Sequence, residues 1–404
     1  MTPPRRGTPD FLLLFLTLAL VAFGFLMVFS ASSVSATYYW DDPWHYTKRQ
    51  SVSILIGLFL MFFFMNVNPA KLKRWVMPLF TLVFLSLLFV LVIAAEKNGA
   101  RSWIEIGPLN LQPSEFAKIA VIMYLALIIS KKEERFRDFK KGLMPALVIV
   151  GLVCGLILMQ NDLGSTAVLA GGAAVVIIVG GANLKHIFAL AAGFLTVAAL
   201  SVSVYLLRNP GLMDGTTSDY RLNRITSFLD PWHSRLDSGY HLTQSLMAFG
   251  HGGLTGTGFG KSIQKMHFLP APHNDFIFSV IGEEFGFLGS TLFLLVFLLF
   301  IWRGIVVSIR CTDTFARLCG IGFFGLFGIQ AFINIGGVTG AIPLTGVTLP
   351  LISYGGSSLM AIMMGIGIVL GFSREQNKPE TADQPARNKT KRDDTKVKRR
   401  SASM

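Results

Sequence analysis

One aspartate, Asp275, ends the only long polar segment between the apolar stretches of this sequence. The segment begins at Arg208 and closes with Pro272-His-Asn-Asp275, directly before an apolar run. A loop of this length is costly to order and usually carries function. A carboxylate at its end would lie at the membrane–water boundary, where an enzyme acting on a lipid-linked substrate would place a general base. The alternative, favoured by spacing alone, is that Asn274 or Asp275 caps a helix beginning at Phe276.

Other ionisable residues fall inside or beside apolar stretches, where charges are costly and therefore mark candidate functional sites. Glu115 and Lys118 are three residues apart at the start of an apolar helix, so they share a face and can pair. A structural ion pair and a substrate contact fit this spacing equally well. Glu283 and Glu284 are adjacent and point about 100° apart, so at most one easily faces the same site as Asp275. We expect one of them to be a structural partner of a buried base.

Two further segments could hold a phosphorylated sugar. Trp103 alone would be an interfacial anchor, but beside Arg101 it could help to seat a phosphate and a sugar. The segment 334–358 is too rich in glycine and proline for a regular span. Irregular backbone at that depth persists only against protein or a wet cavity, so this segment is expected to line the same site. Its end, Gly355-Gly-Ser-Ser358, can expose a helix N-terminus, which suits an anion.

A stretch from Gly253 to Ser262 looks like a nucleotide-binding P-loop. Thr255 stands where the pattern requires glycine, so no nucleotide site is indicated. Flexible backbone that approaches its neighbours closely is the better interpretation. Lys261 and Lys265 are then available to meet phosphate as point charges.

The elements that must position these residues are membrane helices. Hydrophobic residues make up 52% of the 404 residues, the mean hydropathy is +0.56 and charged residues make up 15%, against about 25% in soluble domains. The sequence therefore predicts an all-α polytopic membrane protein, with each span near the ~20 residues that cross a bilayer. The ten predicted transmembrane helices are 11–33, 50–67, 76–95, 113–130, 143–160, 165–182, 186–207, 276–302, 318–340 and 355–372. The first is too long for a signal-peptide core and is expected to be retained.

The basic residues between the spans set the predicted orientation. They accumulate on one side, which the positive-inside rule makes cytoplasmic together with both termini. These residues are Arg5, Arg6, Lys71, Lys73, Arg74, Lys131, Lys132, Arg135, Arg137, Lys140, Lys141, Lys185, Arg303, Arg310 and Arg317. The long loop, about 208–275, is then extracytoplasmic, between the seventh and eighth helices, and an ATP-driven mechanism is excluded at that site.

The chain divides into a cytoplasmic N-terminal tail, 1–10, a ten-helix domain, 11–372, and a C-terminal tail, 373–404. From Arg374 onward, ten Lys or Arg residues face five Asp or Glu residues, and no apolar periodicity is present. We expect this basic tail to be disordered and to rest on anionic lipid of the cytoplasmic leaflet rather than on nucleic acid.

Cysteine and histidine patterns indicate neither a disulfide frame nor a metal site. Cys154, Cys311 and Cys319 lie in or beside apolar spans without C-x-x-C spacing, and no H-E-x-x-H occurs. Asp275 has no evident second ligand at metal spacing. A divalent cation is left open as an unknown cofactor.

Three motifs, in this order, resemble the SEDS family of shape, elongation, division and sporulation proteins. They are Gln112-Pro-Ser-Glu-Phe-Ala-Lys118, Pro272-His-Asn-Asp-Phe-Ile-Phe278 with Glu283-Glu-Phe-Gly286, and Pro343-Leu-Thr-Gly-Val-Thr-Leu-Pro-Leu-Ile-Ser-Tyr-Gly-Gly-Ser-Ser358. The resemblance covers about residues 8–373. It implies a peptidoglycan glycosyltransferase that polymerises lipid II at the outer face of the bacterial cytoplasmic membrane. It also implies a class B penicillin-binding protein as the transpeptidase partner.

The family's essential aspartate aligns with Asp275. Its usual neighbours read His-Thr-Asp, whereas this chain has Asn274, a residue type that suits a capping role at that position. The segments Arg221–Trp232, Gly239–Leu246 and Gln264–Pro270 resemble the division branch, FtsW with SpoVE, more than the elongation branch, RodA. Septal wall synthesis with divisome partners is therefore expected, and an elongation-type polymerase is the alternative.

The resemblance gives the candidate residues roles in an inverting transfer to a sugar hydroxyl. Asp275 would be the base. The candidates for the pyrophosphate, which the sequence does not rank, are Arg101, Lys118, Arg221, Lys261 and Lys265. Further substrate contacts are expected from Trp103, Glu115, Ser353, Tyr354 and Gly355. Structural support is expected from Glu283, Glu284 and His273.

Two other classes of function fit a many-helix protein with a polar site. A transporter that flips lipid II would use broken helices and a polar cavity but needs no base, so Asp275→Asn would leave flipping largely intact. A scaffold that recruits a penicillin-binding protein through its membrane face would keep partner binding and complementation in the same variant. The resemblance favours the enzyme.

Overall fold

The computed structural model describes residues 7–93, 102–106, 109–189 and 239–377, with a few isolated positions between 190 and 238. It is an all-α polytopic membrane protein, as predicted. Within the described residues, eight helices are long and apolar enough to cross a membrane, and a ninth apolar helix is shorter. The helices are α1 (Phe11–Trp40), α2 (His45–Met65), α3 (Pro69–Ile93), α4 (Pro113–Lys132), α5 (Met144–Met159), α6 (Leu163–Val179), α7 (Tyr240–Gly252), α8 (Ile277–Ile309), α9 (Thr314–Val338) and α10 (Gly356–Gln376).

Nine of the ten predicted spans coincide with helices α1–α6 and α8–α10. The seventh predicted span, 186–207, lies largely outside the described residues. Several helices extend past the predicted ends because hydropathy finds only the apolar part of a helix. Helix α1 continues through the interfacial aromatic residues and stops at Asp41, which adopts a left-handed conformation and donates its backbone N–H to Thr37.

Helices α4 and α10 form the centre of the bundle and are buried along almost their whole length. Helix α2 packs closely on α10. A side chain at Gly367 would overlap the backbone of Met61, so glycine permits this close approach. The outward faces of α2 and α3 carry large exposed apolar side chains, which suit contact with lipid.

One end of the bundle is held by pairs between charged residues. Arg303 on α8 donates to both carboxylate oxygens of Asp10, at 3.1 and 2.5 Å. Lys73 on α3 lies 2.7 Å from Asp313 in the α8–α9 connection. These pairs join four of the segments that the sequence assigns to the cytoplasmic side.

The predicted long loop contains a helix in its second half, which the sequence analysis did not identify. Helix α7 buries Leu242, Ser245 and Ala248 and packs on α8. Residues 253–276 then run through turns into α8. The buried residues of α7 recur at helical spacing, and this face is stabilised as a helix because it packs against α8.

Helix α8 is interrupted at Gly286, whose φ is +67° and ψ is −166°. Backbone hydrogen bonds cross this break, including Phe287 to Gly253 at 2.9 Å and Thr257 to Glu283 at 3.0 Å. A Cβ at Gly286 would overlap the backbone N of Gly256. The break therefore fixes the turns that precede Asp275 against the first two turns of α8.

A short antiparallel hairpin precedes α4, which the sequence did not predict. Strand β1 (Ile104–Ile106) pairs with β2 (Leu109–Leu111) in the register Ile104 to Leu111. Trp103 directly precedes β1 and Gln112 directly follows β2, so both residues lie at the same end of the hairpin.

Candidate functional site

A polar cavity of about 380 Å³ lies where the N-terminal ends of α4, α6, α8 and α10 meet. Each helix contributes residues from its start or from just before it: Gln112 for α4, Asp162 for α6, Asp275 for α8 and Ser357 for α10. A helix N-terminus exposes unpaired backbone N–H groups and carries partial positive charge. The cavity is therefore suited to anionic and hydroxylated ligands.

Asp275 lies half-buried in the cavity wall. Helix α8 begins at Ile277, and its N-cap is Phe276, which makes no side-chain capping bond. The cap position is thus occupied by neither Asn274 nor Asp275, unlike the capping alternative. Gly346 lies against the Asp275 carboxylate, since a Cβ there would be 3.5 Å from Oδ2.

A second carboxylate, Asp162, stabilises the opposite wall. Its Oδ1 accepts the backbone N–H of Ser165 at 2.9 Å, which caps α6, and its Oδ2 accepts the side-chain amide of Gln112 at 3.0 Å. The backbone N–H of Gln112 donates to Ser357 at 2.9 Å, and the Ser357 hydroxyl donates to the Asn110 carbonyl at 2.8 Å. The hairpin is thereby joined to the starts of α6 and α10.

A chain of buried polar contacts lies beneath the cavity. Glu115 lines the cavity, and its carboxylate lies 2.8 Å from Nζ of Lys118. Lys118 also donates to Gln330 on α9 at 3.3 Å. The Gln330 amide donates to the Thr348 carbonyl at 3.0 Å, and the Thr348 and Ser358 hydroxyls are 3.2 Å apart. The charge of Lys118 is thus connected to the start of α10.

Arg49 and three aromatic rings form a third part of the site. Arg49 lines the cavity and interacts with the Tyr354 hydroxyl. Tyr354 packs edge-on against Tyr46 and His273, with ring centroids 5.4 and 5.5 Å away. Burial raises the pKa of Tyr354 and lowers the pKa of His273 to about 4. His273 is therefore neutral near pH 7.

The adjacent glutamates Glu283 and Glu284 hold the segment that leads to Asp275. Glu283 accepts the backbone N–H groups of Ile263 and Gln264 at 3.0 and 3.2 Å and the hydroxyl of Ser262. Glu284 pairs with Lys265 at 2.8 Å. These four contacts fix residues 262–265, and they arise because the two carboxylates point in different directions on α8.

The structure brings five of the predicted residues to the cavity. These are Asp275, Trp103, Glu115, Tyr354 and Gly355. Lys118 and His273 do not line the cavity but contact residues that do, Glu115 and Tyr354 respectively. Ser353 is buried and accepts the Leu349 N–H at 2.8 Å.

Two of the predicted pyrophosphate contacts among the described residues, Lys261 and Lys265, do not line the cavity. Lys265 is buried against Glu284, and Lys261 is exposed away from the cavity lining. Arg101 and Arg221 lie outside the described residues.

Sequence reasoning missed several cavity residues. Arg49 carried a signal, because a basic residue at the predicted outer end of a span departs from the positive-inside pattern. Asp162 carried another, since it is an ionisable residue in a very short turn between two apolar spans. The other residues missed are Ser53, Asn110, Gln112, Ser165 and Asn274. Thr348, Ser357 and Ser358 also line the cavity, and they belong to the segment 334–358 that the sequence placed at this site.

Metal-ligand side chains do not cluster in the part of the chain that the structure describes. No group of three or more His, Cys, Asp or Glu residues there could hold a metal ion. The cavity carboxylates of Glu115, Asp162 and Asp275 belong to three separate helix ends.

Comparison with known proteins gives one consistent result. The sequence profile of the FtsW/RodA/SpoVE family, described as "Cell cycle protein", matches residues 11–378. The chain is 42% identical over 372 residues to stage V sporulation protein E of Bacillus subtilis, covering 92% of this chain and 98% of that protein. It is 38% identical over 366 residues to a probable peptidoglycan glycosyltransferase FtsW of Geobacter metallireducens, covering 90% and 94%.

Solved structures share the fold as well. A chain of a peptidoglycan synthase complex, described as coordinating polymerization and crosslinking, superposes with a TM-score of 0.72 at 31% identity, covering 92% of this chain and 99% of that one. The rod shape determining protein RodA of Thermus thermophilus superposes with a TM-score of 0.66 at 32% identity, covering 92% and 98%.

Proposed function

This chain belongs to the FtsW/RodA/SpoVE family of cell cycle proteins, and on that premise we propose that it is a peptidoglycan glycosyltransferase that polymerises lipid II. The observation that carries the proposal is the position of Asp275, a carboxylate that opens into a polar cavity built from four helix N-termini. The relatives named as glycosyltransferases align over nearly the whole chain. This alignment supports the same activity for this chain.

Asp275 is the general base of the proposed reaction. It takes the proton from the C4 hydroxyl of the acceptor sugar while that oxygen attacks C1 of the donor sugar. The bond between C1 and the pyrophosphate oxygen breaks, and undecaprenyl pyrophosphate leaves with the bonding electrons. In-line attack inverts the configuration at C1 and gives a β-1,4 bond. The small Gly346 beside Oδ2 leaves room for a sugar hydroxyl to approach the carboxylate.

Arg49 is the residue we assign to the leaving pyrophosphate. It is the Lys or Arg side chain that lines the cavity within the described residues, and guanidinium is well shaped for two phosphate oxygens. The first turn of α10, with Ser357 and Ser358, supplies backbone N–H groups on another wall. Together they stabilise the negative charge that develops as the bond to C1 breaks.

Trp103 and Tyr354 are assigned to the sugar rings. Both line the cavity, and each presents an aromatic surface near hydrogen-bonding groups. The lipid-facing helices would hold the polyprenyl chains, so the headgroup reaches the cavity while the tails remain in the bilayer.

The proposed setting is the bacterial cytoplasmic membrane, with the cavity on the extracytoplasmic side and septal wall synthesis as the role. The clustering of Asp10, Lys73, Arg303 and Asp313 at one end supports this orientation. A class B penicillin-binding protein would supply crosslinking, in accord with the synthase complex that shares this fold. Divisome proteins are the expected further partners.

The function is tested with the purified protein, its penicillin-binding protein and labelled lipid II in detergent or liposomes. The proposal predicts a ladder of glycan polymers that depends on this chain and is insensitive to a penicillin that blocks only crosslinking. Lipid II movement between leaflets without any polymer would instead identify a transporter and contradict the proposal.

A further inference from the structure

Asn334 connects the backbone at Asp275 to the irregular segment across the cavity. It lies on α9, three per cent exposed. Its side-chain nitrogen donates to the backbone carbonyl of Asp275 at 2.8 Å and to that of Val347 at 2.6 Å. One amide group thus holds two separate segments of the chain at a fixed separation.

The Asp275 carbonyl needs a partner of this kind. Asp275 precedes Phe276, the N-cap of α8, so its carbonyl lies outside the hydrogen-bond ladder of the helix. A buried carbonyl without a donor costs about 1–3 kcal/mol. Asn334 satisfies this carbonyl and thereby restricts the peptide that carries the carboxylate.

The second contact sets where that carboxylate lies. Val347 follows Gly346, which lies against Oδ2 of Asp275. By holding Val347 and Asp275 together, Asn334 fixes the gap between the carboxylate and this wall. One turn earlier on the same face of α9, Gln330 holds the next carbonyl, that of Thr348, at 3.0 Å.

The amide oxygen of Asn334 indicates that packing alone does not explain this residue. The oxygen is buried and has no hydrogen-bond partner among the described residues. A leucine of similar volume would avoid that desolvation cost. The contribution of the side chain therefore rests on the two carbonyls that its N–H groups hold.

We propose that Asn334 is a positioning residue for the proposed general base: its amide holds the backbone of Asp275 against Val347 and so sets the carboxylate for proton transfer. The inference rests on the proposed function. Asn334 acts through Asp275 and is assigned no contact with substrate. Misplacement of a reacting group by about 1 Å can cost ~100-fold in rate.

The test is steady-state polymerisation of lipid II by the complex with its penicillin-binding protein, with rates expressed per folded complex. Asn334→Leu and Asn334→Asp keep the shape and remove the two donors, and Asn334→Ser removes the amide with a smaller side chain. We expect kcat to fall about 10- to 100-fold in each variant with KM for lipid II changed less than about twofold. Thr339→Ala is the matched control, because this exposed residue is the C-cap of α9 and, within the described residues, its hydroxyl donates only to the carbonyls of Ile335 and Gly336 on that helix.

The outcomes separate the alternatives. A fall in kcat at constant KM, with the control unchanged, supports the positioning role. A normal kcat in a folded variant, a rise in KM alone, or loss of folded complex in all three variants would overturn it. Absence of polymer from the wild-type complex would instead refute the proposed function, so the two failures are distinguishable.

Discussion

Nζ of Lys118 lies 2.8 Å from the carboxylate of Glu115, and both side chains are almost fully buried, at 2% and 8% exposure. Both residues lie on α4, the helix at the centre of the bundle. The spacing of three residues made this pair predictable, and the structure adds that Lys118 also bonds Gln330. The pair therefore joins α4 to α9 below the cavity.

Removing one member of this pair should be more harmful than removing both. Lys118→Met leaves the Glu115 carboxylate buried without its partner, which costs about 3–5 kcal/mol. The double variant with Glu115→Gln should recover much of that loss. Thermal unfolding of the purified proteins measures the difference. Equal unfolding temperatures for the single and double variants would show that the pair is not coupled.

Arg49 should be needed for the leaving group. Arg49→Gln is expected to lower kcat about 10- to 100-fold, because a neutral amide cannot stabilise the negative charge that develops on the leaving pyrophosphate. Arg49→Lys should retain part of the activity, since lysine offers a point charge without the guanidinium fork. Polymer formation from lipid II is the measurement. Lys48→Gln is the matched control, because Lys48 directly precedes Arg49 in the sequence, pairs with Asp42 and does not line the cavity. Full activity in Arg49→Gln would remove Arg49 from the mechanism.

The break in α8 should tolerate only glycine. Gly286→Ala would place a Cβ at a positive φ and against the backbone of Gly256. It is expected to destabilise the protein by more than about 1 kcal/mol and to reduce polymerisation by displacing the turns before Asp275. Gly250→Ala on α7 is the control, since its Cβ meets nothing within 4 Å and it should be neutral or mildly stabilising. Similar unfolding temperatures for the two variants would contradict the assigned role of the break.

Burial of His273 should make the fold sensitive to mild acid. The pKa of His273 is about 4, below its ordinary value of 6.5, so between these values the unfolded chain binds a proton that the folded chain does not. The contribution of neutral His273 to the free energy of unfolding is complete above about pH 6.5. It is lost as the pH falls toward 4, which lowers the free energy of unfolding by up to about 3 kcal/mol. Unfolding temperature measured against pH tests this.

The matched variants isolate the imidazole. His273→Phe keeps an aromatic ring against Tyr46 and should remove this part of the pH dependence. His267→Phe alters an exposed histidine and should leave the dependence in place. An unchanged pH profile in His273→Phe would assign the acid sensitivity to other groups.

The sequence predicted the membrane helices and the central aspartate because both depend on local properties. Apolar runs located nine of the described helices, and the charge of Asp275, Glu115 and Lys118 in apolar surroundings marked them as candidates. Helix ends were less accurate, since caps such as Asp41 depend on backbone conformation. Helix α7 was not predicted because its amphipathic face is stabilised by packing against α8, which the local sequence does not show.

Residues whose role depends on distant partners could not be predicted. Lys265 was a reasonable phosphate contact until the break at Gly286 placed it against Glu284. Asn334 is 59 positions from Asp275, and nothing in their spacing joins them. Arg49 becomes a cavity residue only when α2 packs on α10.

The most direct test of the account compares lipid II polymerisation by the wild-type complex with that of Asp275→Asn. Asparagine preserves size and hydrogen-bonding capacity, and thermal stability of both proteins is measured alongside. Asp42→Asn, which alters a partly exposed carboxylate paired with Lys48, serves as the control. Polymer is expected from wild type and control, and none from an equally stable Asp275→Asn. Equal polymer from Asp275→Asn would contradict the assignment of Asp275 as the base.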